Sequence, residues 1–478
     1  MTGVGRLENL RGMERPQCMP QATWDVIPPE AQAVLAVVIA AFEVQIADLK
    51  ASLKQDSSNS SRPPASDPPH LKPAPPRKPS GRRRGGQPGH GRNDRIRLEP
   101  DEVVDAKPDR CRRCGEALAG DDPEPIVRQV FELPVVRPLV VEHRAHRLTC
   151  PRCGASTCGD PPGEAGAGYG PRTQAVCAFL SGEGRMSKRR VARVMKGLFG
   201  LPIGPASVCG LERRTAEALA PIHAEVLEHV RGLDADVDET RWPQGREGGW
   251  LWTAVTKGLA AFLVASSRGR DAFAELMGRS PPGVVTSDRY SAYSHLPAGR
   301  RQACWAHLIR DFQAMVDRGD AGSAIGEDLL MHAGVLFEAW SKVRAEASSR
   351  PTFAAETLPW LRREVRELLE AGSRCGLRKT AATCRELLKI EPSLWTFATV
   401  EGVEPTNNDA ERSLRHAVCW RKTSFGTDSA GGSRFVECIL TAVESCRRQG
   451  RDLLDFLVEA VSAHRSGGTP PSLIPAGV

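Results

Sequence analysis

The chain is 478 residues long, carries a net charge of +7 and contains 14 cysteines scattered along it. That length suggests three or four structural units with ample material for buried cores. The charge is a mild bias towards polyanions. The scattered thiols argue against a disulfide-stapled secreted scaffold and for reduced cysteines or bound metal. No apolar core with a cleavage site occurs between Met1 and Glu30, and the longest apolar run, Ala33 to Phe42, is too short to span a bilayer. A cytoplasmic protein with no membrane partner is expected.

Residues 1–56 read as an N-terminal helix. Leu35, Ile39, Phe42, Ile46, Leu49 and Leu53 alternate steps of four and three, which is a heptad seam. Packing on its own domain is the alternative. Self-association is favoured, because the next segment offers nothing to pack against. That segment, residues 57–98, is a basic linker rich in Pro and Gly, with Arg82, Arg83 and Arg84 in a row before Gly85-Gly86-Gln87-Pro88-Gly89-His90. Pro and Gly oppose regular structure, and clustered arginines suit phosphate backbones without reading sequence.

Residues 99–160 carry two matched knuckles, Cys111-Arg112-Arg113-Cys114-Gly115 and Cys150-Pro151-Arg152-Cys153-Gly154. Each turn aims two thiolates at one point, and Cys111, Cys114, Cys150 and Cys153 together complete a tetrahedral, structural zinc site with no open position for chemistry. Alternating stretches at Ile126–Leu133 and Leu139–Leu148 predict strands, and a hairpin must return the second knuckle to the first. Cys158, His143 and His146 are spare candidates that are not chosen.

Residues 161–232 turn helical. Ser187 is an N-cap before Lys188-Arg189-Arg190, whose basic face offers Arg189 and Arg190 to DNA. A break at Gly200–Pro205 precedes another helix, so the pattern is helix-turn-helix-like, with an ordinary helical hairpin as the alternative.

The core is expected over residues 233–430. Leu233 to Trp242 alternates as a strand with its acids on one side, Trp250–Thr256 and Ala260–Ala265 read as two more strands, and Arg270–Met277 reads as a short helix. Gly283–Asp288 is a buried-type strand ending in an acid. Helical periodicity from Cys304 onward, with a helical insertion at about 315–400, leads to Thr406-Asn407-Asn408-Asp409-Ala410-Glu411-Arg412-Ser413-Leu414-Arg415. Asn408 there is a candidate N-cap. Glu411 is either half of a capping box with an ion pair to Arg415, or a metal ligand. Arg421–Gly426 reads as a basic turn. Residues 431–478 form a C-terminal helical region with helices at Phe435–Arg447 and from Leu453 to His464.

Three strands, a helix and a strand match the order of a ribonuclease-H-like fold. The fold class expected is therefore an α/β ribonuclease-H-like core with a helical insertion, preceded by the N-terminal helix, the zinc unit and the helix-turn-helix-like segment. In such a fold Asp238 and Asp288 end on neighbouring strands. The bland readings are a solvated strand end for Asp238 and a turn residue for Asp288.

These residues in order resemble the transposases of the insertion-sequence-66 family, the TnpC type. The resemblance covers nearly the whole chain. It rests on Ser57-Ser58-Asn59-Ser60-Ser61-Arg62-Pro63-Pro64, Gly86-Gln87-Pro88-Gly89-His90, the two knuckles, Asp238-Glu239-Thr240, Ser287-Asp288-Arg289-Tyr290-Ser291-Ala292-Tyr293, Cys304-Trp305-Ala306-His307-Leu308-Ile309-Arg310 and Asn407-Asn408-Asp409-Ala410-Glu411-Arg412. The resemblance implies that Asp238, Asp288 and Glu411 are a catalytic Asp-Asp-Glu triad holding Mg2+ or Mn2+. It implies two-metal phosphoryl transfer, with terminal inverted repeats and target DNA as partners. Arg412, Arg415 and Lys422 would position the DNA backbone. A homo-oligomer and small accessory proteins of the same element are further implied partners. The chain departs from the family at Arg289, where Gly is usual, and Asp236 lies on the same strand face as Asp238. A catalytically inactive, repurposed DNA-binding protein is the alternative function, with a general nuclease behind it.

Overall fold

The computed structural model describes residues 19–53, 96–160, 166 and 168–475. The triplet Arg82, Arg83 and Arg84 and the linker around it lie outside the described residues. Contacts divide the chain into two units, residues 1–73 with 213–478 and residues 74–212.

The first unit opens with α1 (Gln21–Trp24) and α2 (Pro29–Leu53). The heptad seam lies on α2. Leu35 and Ile39 are half-buried, while Phe42, Ile46 and Leu49 are exposed. The 18-residue window Pro29–Ile46 of α2 is also the one stretch among the described residues with the length and apolar composition of a membrane-crossing helix. The uninterrupted apolar run within it is shorter.

The second unit contains the two knuckles, each closed by its own small hairpin. An isolated bridge, Arg110 to Ala117, brackets the first, and the antiparallel strands β1 (Arg147–Thr149) and β2 (Ser156–Cys158) bracket the second. The predicted strand at Ile126–Leu133 does not form, and of Leu139–Leu148 only the last two residues are in a strand, β1; the rest of that stretch has no regular secondary structure. Ile126, Val130, Leu133 and Leu139 are about nine-tenths exposed, so their alternation has no opposing face to bury against. Pro134 and Pro138 also remove ladder donors between the two stretches.

The helices α3 (Pro171–Gly182) and α4 (Lys188–Phe199) and the start of α5 (Pro205–Arg231) complete this unit around Cys177, Val191, Met195, Val208 and Leu211. Ser187 caps α4 as the sequence predicts, accepting from the Arg190 N–H at 3.4 Å. Gly200 ends it in the left-handed conformation (φ 62°). Lys188 pairs with Glu212, which leaves Arg189, Arg190 and Arg193 on the exposed face of α4.

The rest of the first unit is a five-stranded mixed sheet with helices against it. The strands are β3 (Ala235–Arg241), β4 (Trp250–Val255), β5 (Ala260–Ala265), β6 (Val285–Ser287) and β7 (Arg301–Ala303), in the spatial order β5-β4-β3-β6-β7. The first three pair antiparallel; β6 and β7 join parallel to β3 and to each other. The helix α6 (Arg270–Met277) follows β5. Short β7 carries no sequence signal of its own, since three residues are too few to show a period.

The open edge of β5 is covered by a helix that carries polar groups on a four-residue spacing. Following α12 (Asn408–Ser424), the helix α13 (Ala430–Gln449) lies along β5. Its Glu437, Thr441 and Ser445 accept from the outward N–H groups of Val264, Phe262 and Ala260 at 2.8, 3.2 and 3.1 Å. Residues four apart share one helix face and alternate residues share one strand edge, so the two periods mesh. The strand's unpaired donors are thereby satisfied. The chain ends with α14 (Leu453–Ser466).

Between β7 and α12 stands the helical insertion: α7 (Trp305–Val316), α8 (Ser323–Arg344), α9 (Arg350–Thr352), a π-helical turn at Phe353–Thr357, α10 (Leu358–Ser373) and α11 (Arg378–Lys389). Its core is aromatic, with Trp340 edge-on to Phe353 and Phe397. Arg350 stacks over Trp340 and donates to the carbonyls of Phe397, Val400 and Val403, tying the chain leading to α12 onto the insertion.

Candidate active site

The site is built on β3. Asp236, Asp238 and Thr240 share the half-buried face of that strand, and Ala235, Val237 and Glu239 share the buried one. The acids are therefore not all on one side, as the alternation suggested. Parallel pairing sets Asp236 opposite Thr286. Continuing that register by two residues sets Asp238 beside Asp288, the residue that follows β6. Asp288 also accepts the Tyr290 N–H at 2.8 Å, so it is a turn residue as well as a strand-end acid.

Glu411 arrives from α12. The cap position is Asn407 rather than Asn408, and its side chain makes no capping bond. Fully buried, Asn407 instead donates to the Val237 carbonyl at 3.1 Å, between the two β3 aspartates. Its own N–H meets the Cys304 sulfur at 3.4 Å, and Pro405 accepts from the Trp305 N–H at 2.9 Å. These bonds pin the start of α12 against β3 and the start of α7, and Glu411 follows one turn on. Its carboxylate faces Arg310 at 3.3 Å and His307 at 3.7 Å instead of pairing with Arg415. Burial and the neighbouring arginines hold His307 down to about 3, so its imidazole is neutral.

Burial raises the Asp238 carboxyl well above the usual range, and the negative charges of Glu239, Glu411 and Asp288 raise it further. Asp236 is also raised, to about 7, chiefly by burial, but its charged neighbours are Asp409, Arg448 and Glu404. The two β3 aspartates thus face different surroundings. Asp238 shares its field with Asp288 and Glu411, and Asp236 looks towards the Asp409–Arg448 ion pair (2.7 Å).

A group that the motif reading missed stands beside them. Glu239 accepts from Arg268 Nε at 2.6 Å and from the Tyr293 hydroxyl at 2.5 Å. The Arg268 guanidinium also reaches Asp288 at 3.7 Å and lies over the Tyr290 ring at 3.9 Å. Glu239 and Tyr293 fall inside quoted motifs and were legible there. Arg268 sits in a short loop with no pattern around it. Arg289, the departure from the family, pairs its fork with Asp311 of α7.

The donor set suits a hard divalent cation: three carboxylates, with Asp238 lacking any cation within ion-pair distance among the described residues. Among those residues no three His, Cys, Asp or Glu side chains stand in the close grouping of a metal cage. Asp288 lies 3.7 Å from Arg268 and Glu411 3.3 Å from Arg310.

The zinc knuckles are matched bond for bond. Cys111 N donates to Glu116 O and Cys150 N to Ala155 O, both at 2.8 Å, and Gly115 and Gly154 return to the cysteine carbonyls at 2.9 Å with φ 76° and 73°. Only glycine takes that backbone readily. The N–H groups of Arg113 and Cys114 lower the Cys111 thiol, and those of Cys153 and Arg152 lower Cys150, which favours thiolate ligands. The knuckles are formed separately and are not brought into one four-thiolate group.

Of the residues assigned to DNA, Arg189 and Arg190 are exposed on α4. Arg412, Arg415 and Lys422 are exposed on α12, with Arg412 paired to Asp409 at 3.0 Å. The predicted basic turn at Arg421–Gly426 is mostly helix, because α12 runs on to Ser424.

Residues 167–434 match the family model described as transposase IS66 family, and residues 108–154 match the zinc-finger binding domain of transposase IS66. Residues 19–96 match a family of unknown function, DUF6444. Two curated relatives come from Sinorhizobium fredii (strain NBRC 101917 / NGR234). Uncharacterized protein y4qI is 29% identical over 272 residues, 51% of this chain and 50% of that protein. Uncharacterized protein y4hP is 24% identical over 409 residues, 76% of this chain and 72% of that one. The chain thus spans about half the length of the first relative and nearly three quarters of the second.

Proposed function

This chain belongs to the transposase IS66 family, and from that premise we propose that it binds the terminal inverted repeats of its insertion sequence and catalyses metal-dependent strand cleavage and transfer. The observation that carries the proposal is the shared surrounding of Asp238 in the middle of β3, Asp288 just past the end of β6 and Glu411 in the first turn of α12. The strand order β5-β4-β3-β6-β7, three antiparallel and two parallel, supports reading the core as ribonuclease-H-like.

In this reading Asp238, Asp288 and Glu411 hold Mg2+ or Mn2+, which supplies charge stabilisation at the phosphorus and lowers the pKa of the attacking hydroxyl or water. The protein's own part is placement. Asn407 fixes the entry of α12 on β3. Glu239 and Tyr293 hold Arg268 beside Asp288, where its charge offsets crowded carboxylates. Cys111, Cys114, Cys150 and Cys153 hold structural zinc, in keeping with the zinc-finger match. Arg82, Arg83, Arg84, Arg189, Arg190, Arg412, Arg415 and Lys422 contact DNA, and the seam of α2, exposed at Phe42, Ile46 and Leu49, pairs copies of the chain in a homo-oligomer.

The test is cleavage of terminal-repeat DNA by the full chain with magnesium or manganese. Asp238→Asn should lower the cleavage rate on the order of 10³-fold, about 4 kcal/mol of transition-state stabilisation, while binding persists. Asp236→Asn should leave most activity. The reverse pattern would move the first ligand to Asp236. Binding without nicking by the parent chain would sink the catalytic reading.

A further inference from the structure

Beyond the acids, at the far end of β3, a cleft of about 490 Å3 is lined by Glu239, Thr240, Arg241, Trp250, Arg268 and Arg421. Three arginines face it against one carboxylate, and that carboxylate is already bound to Arg268. Among the described residues Arg421 bonds only neutral oxygens, the Thr240 hydroxyl at 2.9 Å and the Arg241 carbonyl. Among the described residues neither Arg421 nor Arg241 has a carboxylate within ion-pair distance. Burial and the neighbouring Arg241 charge lower the Arg421 pKa, so two cations are held close without an anion between them.

The backbone holds Arg421 in that position. It lies in the last turn of α12, and the loop after it is clamped to the loop after β3. Thr427 N donates to Pro243 O at 3.1 Å, and Gly245 N donates to Thr427 O at 2.7 Å. Gly426 has φ 108° and sits so near Pro243 that a Cβ would run into its carbonyl oxygen. A half-buried guanidinium fixed by main-chain contacts and unpaired by charge is preorganised for an incoming anion.

We propose that Arg421 and Arg241 form a phosphodiester subsite for the nucleotide next to the one processed at the acids. Thr240 lies two residues beyond Asp238 on the same strand face, so the two positions are separated by about 7 Å of strand. That is one step along an extended nucleic-acid strand. The subsite positions the backbone and reads no base. This rests on the strand-cleaving function proposed above and deepens it, because none of the residues given a DNA contact there lines the cleft.

The experiment uses the full chain and a terminal-repeat duplex in which one phosphate beside the cleavage position is replaced by an uncharged methylphosphonate. The substitution should weaken binding by the parent about tenfold, and Arg241→Gln should weaken binding of the unmodified duplex to a similar degree. Combining the two should cost little more than either alone. Arg241→Lys should retain most of the effect of charge. Arg421→Gln, checked for an unchanged melting temperature, should behave as Arg241→Gln does. Fully additive losses, or no loss in Arg241→Gln, overturn the subsite while leaving the enzyme's DNA function standing. A parent chain that does not bind the duplex overturns both.

Discussion

The sheet unit and the knuckle segment are built on opposite principles. In the sheet unit the decisive bonds join residues far apart in sequence: Asn407 to Val237, Glu239 to Arg268, Thr441 to Phe262. In the knuckle segment the turn bonds around the cysteines join residues a few positions apart, the longer links, such as Gln129 to Leu98, are exposed, and apolar side chains such as Ile126, Val130 and Leu139 face solvent. One region is held by burial and can be specified only by the whole fold. The other is shaped by local turn chemistry and needs an ion to become cooperative.

Zinc removal should separate the two most sharply. Chelation, or Cys111→Ser with Cys114→Ser, should release about one zinc per chain and speed proteolysis within residues 99–160 by roughly tenfold or more. The melting of the sheet unit should move little. A matching collapse of both regions would show that the contrast is false.

Asn407→Leu probes the long-range side. It strands the buried Val237 carbonyl at a cost of about 1–3 kcal/mol, read by denaturant unfolding. It also loosens Glu411, so cleavage should fall by more than the loss of stability explains. Unchanged cleavage in folded Asn407→Leu would remove the positioning role given to α12.

Acid should act on the sheet unit through His223. This buried ring donates to Phe262 O at 2.8 Å and accepts from Arg434 at 3.1 Å. Burial lowers its pKa from 6.5 to about 4. The unfolded chain therefore binds the proton first, and His223 removes stability as pH falls from 6.5 towards 4, by up to about 1.4 kcal/mol per unit. Asp236, raised to about 7 by burial, acts oppositely: its contribution is lost as pH rises from 3.8 towards 7. Comparing His223→Gln with the parent isolates the histidine. The variant's stability should fall less steeply between pH 6.5 and 4, and an identical slope would refute the assignment.

The smallest effect is expected at Phe425, exposed and left-handed at φ 62° after α12. Phe425→Gly should stabilise by about 1 kcal/mol, a rise of roughly one to two degrees in Tm. A fall would mean that the ring is held by contacts in the sheet unit.

Much of this protein was legible in its sequence. Period and capping marked the core strands, the helix from Lys188 to Phe199 and the helical insertion, because those signals act within a few residues. The knuckle turns were equally legible, since glycine after Cys-x-x-Cys is demanded by the local backbone. Periodicity failed at Ile126–Leu133 and over all but the last two residues of Leu139–Leu148, where alternation met no face to cover. Only the tertiary structure decided the cap at Asn407, whose side chain is diverted to a strand 170 residues away. It also decided the presence of β7, the pairing of Arg268 with Glu239, and the different fields around Asp236 and Asp238. Each depends on which distant groups burial brings together, and no window of sequence contains both partners.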